Sequence, residues 1–97
     1  MTTILYINCF KTSARCYLLA LPVTIVLDYE DGVWCYSNEA LNISGYAEKE
    51  EDALRNLHEC FDFAYRDIAE ADDNELNSKA ILLKQHLLSI VADIESA

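Results

Sequence analysis

The sequence has 97 residues, of which 53% are apolar, with only two glycines and one proline. This is the composition of a folded domain and not of a linker or a disordered segment. Seven basic and 17 acidic residues give a net charge of −10. Such a charge argues against direct nucleic-acid binding, because phosphate contacts need clustered lysines and arginines.

The length predicts a single domain over residues 1–97. A chain this short buries only roughly 60% of its unfolded surface, so we expect self-association to add stability. No apolar run approaches the ~18 residues needed to cross a bilayer, and the start Met1-Thr2-Thr3 lacks the basic residues of a secretory signal. We therefore predict a cytoplasmic protein that makes no contact with a membrane.

The first half of the chain predicts an antiparallel meander of about four strands. These predicted strands are residues 3–10, 14–21, 23–30 and 33–37. The first has apolar side chains on both faces, so we expect it to be covered on both sides. Pro22 marks a strand boundary or a sheet edge because it has no N–H to donate to a sheet. Asp31-Gly32 is the signature of a two-residue hairpin turn.

A helix is predicted over residues 50–68 and should pack on this sheet, because apolar side chains recur there at steps of three and four. These side chains are Leu54, Leu57, Phe61, Ala64, Tyr65 and Ile68. Glu50, Glu51 and Asp52 lie in the first turn, where carboxylates favour the positive end of the helix dipole. Before the helix, Gly45 follows a short apolar run, and we expect it to adopt a turn conformation that costs little only for glycine.

A recognisable spacing of residues leads into this helix. It consists of Gly45, Ala47, Lys49, Glu51, Asp52, Ala53, Asn56 and Leu57. Over about residues 23–68, this spacing and the hairpin before it resemble the HicB-like antitoxin domains, whose segment reads Gly-x-Gly-x-Thr-x-Glu-Glu-Ala-x-x-Asn-Leu. Ala47 replaces the second glycine of the family, and Lys49 stands where the family has a helix-capping threonine. The resemblance implies an α+β fold like part of ribonuclease H, with a strand that returns to the sheet after the helix.

A second helix is predicted over residues 75–94, with Asp72, Asp73 and Asn74 available as caps. Its apolar residues are Leu76, Ala80, Ile81, Leu83, Leu87, Leu88, Ile90, Val91 and Ile94. We predict no return strand, and the remaining length is too short for the helix-turn-helix module of a full-length antitoxin.

The apolar surface of the second helix is broader than one sheet face requires, so we predict a homodimer held partly by this helix. The residues expected at the dimer interface are Leu87, Leu88, Val91 and Ile94. The alternative is complete burial of the helix between the first helix and the sheet of one chain.

The negative charge belongs mainly to the helical half of the chain. Residues 1–38 hold two basic and three acidic residues, a net charge of −1, whereas residues 39–97 hold five and fourteen, a net charge of −9. A basic protein partner would be attracted to this half, and we predict contacts at Glu59, Asp62 and Asp67. The alternative is a solvated acidic surface that mainly confers solubility.

Residues with catalytic or metal-binding spacing are lacking, so we predict a non-catalytic protein without metal or cofactor. The four cysteines have no C-x-x-C spacing and are expected to be small buried hydrophobes. His58 and Cys60 lie two residues apart on a helix and so point to different faces. His86 has no cysteine or aspartate at ligand spacing.

Two functions remain open at this point. Through the resemblance, the first is a HicB-type antitoxin that binds and neutralises a small basic ribonuclease of the HicA type. The second is a self-associating structural or adaptor protein of the same fold, without a toxin partner.

Overall fold

The chain folds into an antiparallel sheet with two helices over one of its faces. A computed structural model describes residues 2–97. The strands are β1 (Thr2–Lys11), β2 (Arg15–Glu30), β3 (Val33–Asn38), β4 (Ile43–Ala47) and β5 (Val91–Ser96), and the helices are α1 (Glu50–Ala64) and α2 (Ser78–Ile90). The strand order is β1-β2-β3-β4, and β5 pairs with β2 beyond the end of β3. The predicted α+β class is confirmed, because four antiparallel strands precede the helices and α1 packs on the sheet.

Aromatic side chains form the centre of the core between the sheet and α1. Phe61 of α1 stacks on Phe10 of β1 with 4.1 Å between ring centroids, and Tyr17 of β2 meets Phe61 edge-on at 5.2 Å. Aromatic pairs in these arrangements stabilise a core by more than their buried area alone. Leu57 and Phe61 are both fully buried, which confirms the predicted inward face of the first helix.

One long strand, β2, replaces two of the predicted strands. Its pairing with β1 shifts between Ile7 and Cys9, so that residues 19–22 of β2 lie opposite a single residue of β1. Pro22 falls in this bulge, where no pairing with a neighbouring strand needs its missing N–H. The predicted strand boundary at Pro22 is therefore wrong. The bulge instead divides β2 into a part that pairs with β5 and a part that pairs with β3.

The second helix is shorter than predicted, and the chain returns to the sheet after it as β5. The predictions of a helix as far as Ile94 and of no return strand are therefore wrong. Val91 pairs with Leu19 and Ile94 pairs with Tyr17, so Ala92 is an extra, bulged residue in β5. The bulge places Val91 and Ile94 on one face of the sheet although they are three residues apart. That separation is also the spacing of one helix face, which explains the error.

Polar side chains hold the start and the middle of α2. Asn77 caps the helix, because its side-chain oxygen accepts a hydrogen bond from the Ala80 N–H at 2.8 Å. The Nζ of Lys84 donates to the carbonyl of Ala71 at 2.5 Å and to the carboxylate of Asp73 at 2.8 Å. Asn77 thus takes the capping role predicted for residues 72–74, and Lys84 joins α2 to the segment that connects it with α1.

Gly45 allows α1 to lie directly against β4. The residue is inside the strand and does not adopt a left-handed conformation, so the turn predicted for it is wrong. A Cβ atom at Gly45 would lie 2.2 Å from the backbone nitrogen of Leu57 and 2.3 Å from the carbonyl oxygen of Ala53. Both distances are too short for any side chain. The left-handed glycine of this fold is Gly32, in the predicted Asp31-Gly32 hairpin turn, with φ of +78°.

His58 joins α1 to the end of β1. The backbone N–H of Lys11 donates to Nδ1 of His58 at 2.9 Å, and the imidazole also meets the ring of Phe10 edge-on at 5.5 Å between centroids. Burial lowers the pKa of His58. A neutral imidazole is also what the bond requires, because a protonated Nδ1 has no lone pair to accept it.

The face of the sheet away from the helices is open. Ile4 and Tyr6 of β1 are 51% and 69% exposed on this face, and Tyr46 of β4 is 67% exposed. On the inner face of β1, Leu5 and Ile7 are partly buried against the core. The prediction that the first strand is covered on both sides is therefore wrong, because β1 is an edge strand with one uncovered face.

Replacement of Gly45 by alanine should lower the free energy of unfolding by about 3 kcal/mol or more, because its Cβ would overlap backbone atoms of α1. Gly32→Ala is the matched control. A Cβ atom at Gly32 would have no neighbour within 4 Å. The only cost of this substitution should therefore be that of the left-handed backbone conformation, about 1–2 kcal/mol. Urea unfolding of both variants measures the difference. Equal losses would contradict the close packing of α1 on β4.

Stability should also depend on pH through His58. Its pKa is lowered in the folded state, so the unfolded chain, with a histidine pKa of about 6.5, binds the proton first as the pH falls. The contribution to the free energy of unfolding is therefore full above about pH 6.5 and decreases below it. His58→Gln keeps an acceptor for the Lys11 N–H but does not titrate in this range. The free energy of unfolding should therefore change less between pH 7.5 and 5.5 in this variant. His86→Gln, at an exposed histidine, is the control variant in the same urea measurements.

Candidate protein-binding surface

The outward face of α1 presents a large aromatic side chain to solvent. Phe63 is 70% exposed, although Phe61, two residues before it, is fully buried. Glu59 lies four residues before Phe63 and Asp67 four residues after it, and both are exposed. Residues four apart are neighbours on a helix surface, and the helical path continues past α1 through a wider π turn, Tyr65–Ala69. Glu59, Phe63 and Asp67 are called the acidic aromatic stripe below.

Phe63 is the residue of this stripe that sequence reasoning missed. The apolar residues predicted for the helix do not include it, because it lies about 200° around the helix axis from Phe61. That angle is itself the signal that identifies it. A large aromatic residue on the polar face of an amphipathic helix gains nothing from burial in its own chain, and exposed aromatic residues of this kind are enriched at protein interfaces.

The three residues predicted to contact a basic partner occupy two different environments. Glu59 and Asp67 are exposed. Asp62 has a side chain only 18% exposed, and its carboxylate accepts hydrogen bonds from the hydroxyl of Tyr17 and from Nε of Arg66, the latter at 3.0 Å. Asp62 therefore binds within its own chain, whereas the carboxylates of Glu59 and Asp67 are exposed and available to a partner.

A network of polar side chains anchors the C-terminal half of α1 to the sheet. The hydroxyl of Tyr17 donates to Asp62 and accepts from Nη1 of Arg15 at 3.2 Å, and the same nitrogen pairs with Glu70 at 3.0 Å. Burial raises the pKa of Tyr17 to about 12, and the hydrogen bond to Asp62 adds to this effect. The phenol thus stays protonated as a donor. Because Asp62 directly precedes Phe63, the network also sets the direction in which Phe63 projects.

The residues predicted for a dimer interface do not form one exposed stripe. Leu87 is fully buried in the core of its own chain, whereas Leu88 is 47% exposed. Val91 and Ile94 are in β5, where they pair with β2 and are partly buried. Leu87 is therefore a core residue in this fold, and a helical interface through all four residues does not exist. The dimer itself stays a prediction.

A cleft of about 600 Å³ opens between α2 and the connection from β3 to β4. Its apolar wall comes from Ala80, Leu82 and Leu83 of α2, and its polar residues include Glu39, Lys79 and His86. Catalysis by such groups needs a base in contact with a nucleophile or a second acid. Among residues 2–97, no hydrogen bond joins side chains that line this cleft to one another, and the prediction of a non-catalytic protein stays a prediction.

Metal-binding clusters are also lacking in the part of the chain that the structure describes, since no three His, Cys, Asp or Glu side chains converge there. All four cysteines, Cys9, Cys16, Cys35 and Cys60, are free thiols and are partly buried, less completely than predicted. Across residues 2–97, neither helix is long and apolar enough to cross a bilayer.

Tyr17→Phe should lower the free energy of unfolding by about 1.5–3 kcal/mol, because the mostly buried Asp62 carboxylate loses a donor. Tyr46→Phe is the matched control, since its ring is exposed, and should change stability by less than about 0.5 kcal/mol. Chemical denaturation at pH 7 gives both values. A loss for Tyr17→Phe no larger than that of the control would contradict the anchoring role of the network.

Comparison with known proteins identifies no relative of this chain. No model of a protein family matches it, and no curated protein or solved structure shows a significant match. The resemblance to HicB-like domains therefore continues to depend on the spacing of residues between the hairpin and α1, and stays a prediction.

Proposed function

We propose that this chain is a non-catalytic, cytoplasmic protein-binding module that resembles a HicB-type antitoxin and neutralises a small basic ribonuclease. The observation that carries the proposal is the acidic aromatic stripe, in which the exposed ring of Phe63 lies between the free carboxylates of Glu59 and Asp67. Protein interfaces are enriched in aromatic residues at their core, and polar residues form the rim around that core.

Electrostatics supports a basic partner. The stripe belongs to the half of the chain that holds five basic and fourteen acidic residues, so its field attracts positive charge and raises the rate of encounter. Burial of Phe63 in a pocket of the partner would then slow dissociation. The charges and the ring thus have separable effects, one on association and the other on dissociation.

The order of elements supports the same proposal. The resemblance implies that the chain returns to the sheet after the helix. Here β5 returns by pairing with β2, but it follows α2 and not α1. Lys49 occupies the N-cap position of α1 and makes no side-chain capping bond, which is a departure from the family's capping threonine. Gly45, the first residue of the matching spacing, is also where α1 packs against the sheet.

A second candidate function is self-association as a structural or adaptor protein. The observation that favours it is the open face of the sheet, where Ile4 and Tyr6 of the edge strand β1 are exposed. This surface is separate from the acidic aromatic stripe, so the two candidates call for different variants.

Binding to a small basic protein encoded next to this chain would test the first candidate. Glu59→Lys together with Asp67→Lys should lower the association rate constant about tenfold at low salt and flatten its salt dependence. Phe63→Ala should raise Kd by tenfold or more, mainly through faster dissociation. Surface plasmon resonance at two ionic strengths separates these effects, and a ribonuclease assay with increasing amounts of the chain measures neutralisation.

Two control variants keep the test specific. Glu30→Lys together with Glu95→Lys makes the same change of charge at exposed positions outside α1, and Tyr46→Ala removes an exposed aromatic ring from the open sheet face. Both should bind like the wild type. If these controls weaken binding as much as the stripe variants do, the interface is elsewhere. If the wild type neither binds nor inhibits the neighbouring protein, the antitoxin proposal is wrong.

A further inference from the structure

The outer edge of β1 is a strand edge without a partner. β1 pairs with β2 on one side only and forms an end of the sheet. Residues 2–10 contain no charged residue, no proline and no glycine. Long apolar edges of this kind are usually blocked in monomeric proteins, because their free N–H and C=O groups accept another strand.

The other two edges of the sheet are protected. β4 has only five residues, and acidic and basic side chains follow it directly at residues 48–50. The free edge of β5 carries Asp93 and Glu95, which are exposed. Short strands and charged side chains are the means by which proteins prevent edge pairing. Among the three strand edges within residues 2–97, only that of β1 is long and also uncharged, over residues 2–10.

The side chains of β1 would be covered from both faces by an added strand. Ile4 and Tyr6 are exposed on the open face, while Leu5 and Ile7 on the inner face are only partly buried beside α1. At the far end, the N–H of Lys11 is already bonded to His58. The pairing segment therefore ends before Lys11 and corresponds to the uncharged residues.

The low charge of this edge favours a second copy of this chain as the occupant. Two chains with a net charge of −10 repel each other over most orientations. Residues 1–38, which include β1, hold only one more acidic than basic residue, and the edge itself has no charge. Here two copies can approach with the least repulsion, whereas a basic partner would gain nothing from this edge.

We propose that β1 pairs with β1 of a second copy, antiparallel and across a two-fold axis perpendicular to the sheet, to form one continuous sheet. An identical edge on each chain makes the contact self-complementary, and the dimer closes because each β1 edge is then used. Backbone hydrogen bonds supply the pairing, and Ile4 and Tyr6 of each chain pack beside the new strand. This proposal does not depend on the antitoxin function proposed above, and it gives the second candidate, self-association, a specific interface.

Light scattering at micromolar concentration tests the proposal through mass. The wild type should have a mass of about 22 kDa, twice the 11.0 kDa of one chain. Ile4→Lys together with Tyr6→Lys should reduce it to that of one chain, because lysines on an edge strand disfavour pairing with another edge. Since these changes also make the net charge less negative, weaker association could not come from general repulsion. A monomeric wild type would overturn the proposal.

Two controls locate the interface. Tyr46→Lys together with Leu82→Lys makes the same charge change at apolar residues that are both 67% exposed but lie on β4 and α2, and it should remain a dimer. Leu88→Glu, at the exposed residue of the helical interface predicted from sequence, should also remain a dimer. Dissociation by either control, or persistence of the dimer in Ile4→Lys/Tyr6→Lys, would overturn pairing through β1.

Amide hydrogen exchange of the wild type gives a readout that needs no variant. At concentrations where the dimer forms, amides within residues 3–9 should exchange more slowly than after dilution to the monomer, whereas those of β4 and β5 should not change. Dimerisation without added protection in residues 3–9 would show that the chains meet elsewhere.

Discussion

The backbone of α1 lies against the backbone of β4 at Gly45, and the positions of the other elements follow from this contact. Without a Cβ at Gly45, the carbonyl of Ala53 and the nitrogen of Leu57 come closer to the strand than any side chain would allow. The helix is thereby held at a fixed distance and rotation. Phe61 then points into the sheet to stack on Phe10, and Phe63, about 200° away around the helix, points to solvent.

A second anchor holds the other end of α1, and it divides the acidic residues of this half into two groups. Asp62 accepts a hydrogen bond from the buried hydroxyl of Tyr17 and forms an ion pair with Arg66. Its charge therefore stabilises the fold and is not available to a partner. Glu59 and Asp67 are exposed on the same helical segment. A count of acidic residues therefore overstates the charge that is free to attract a partner.

The sequence was sufficient to predict the elements whose pattern is local. The hairpin at Asp31-Gly32 and the inward face of α1 at Leu57 and Phe61 follow from turn chemistry and helical periodicity. The errors lie where a neighbouring strand decides the outcome. The bulges in β2 before Val23 and in β5 at Ala92 arise from register with other strands, and a bulged strand places residues three apart on one face, as a helix does. Phe63 could have been predicted from its angle on the helix, whereas the burial of Asp62 depends on a tyrosine from a distant strand.

The two proposed contacts use surfaces with opposite electrostatic character, and this separation follows from the fold. The helices cover one face of the sheet and belong to residues 39–97, which hold most of the charge, while β1 remains at an edge whose residues 2–10 are uncharged and partly apolar. A basic partner gains attraction only on the helical side, and a second acidic copy avoids repulsion only at the edge. Because a two-fold axis through the β1 edges leaves the acidic aromatic stripe of each chain outside the pairing segment, a dimer would present two such stripes. Two linked stripes would retain a partner with two matching sites longer than either stripe alone, since the second contact forms at the high local concentration that the first one creates.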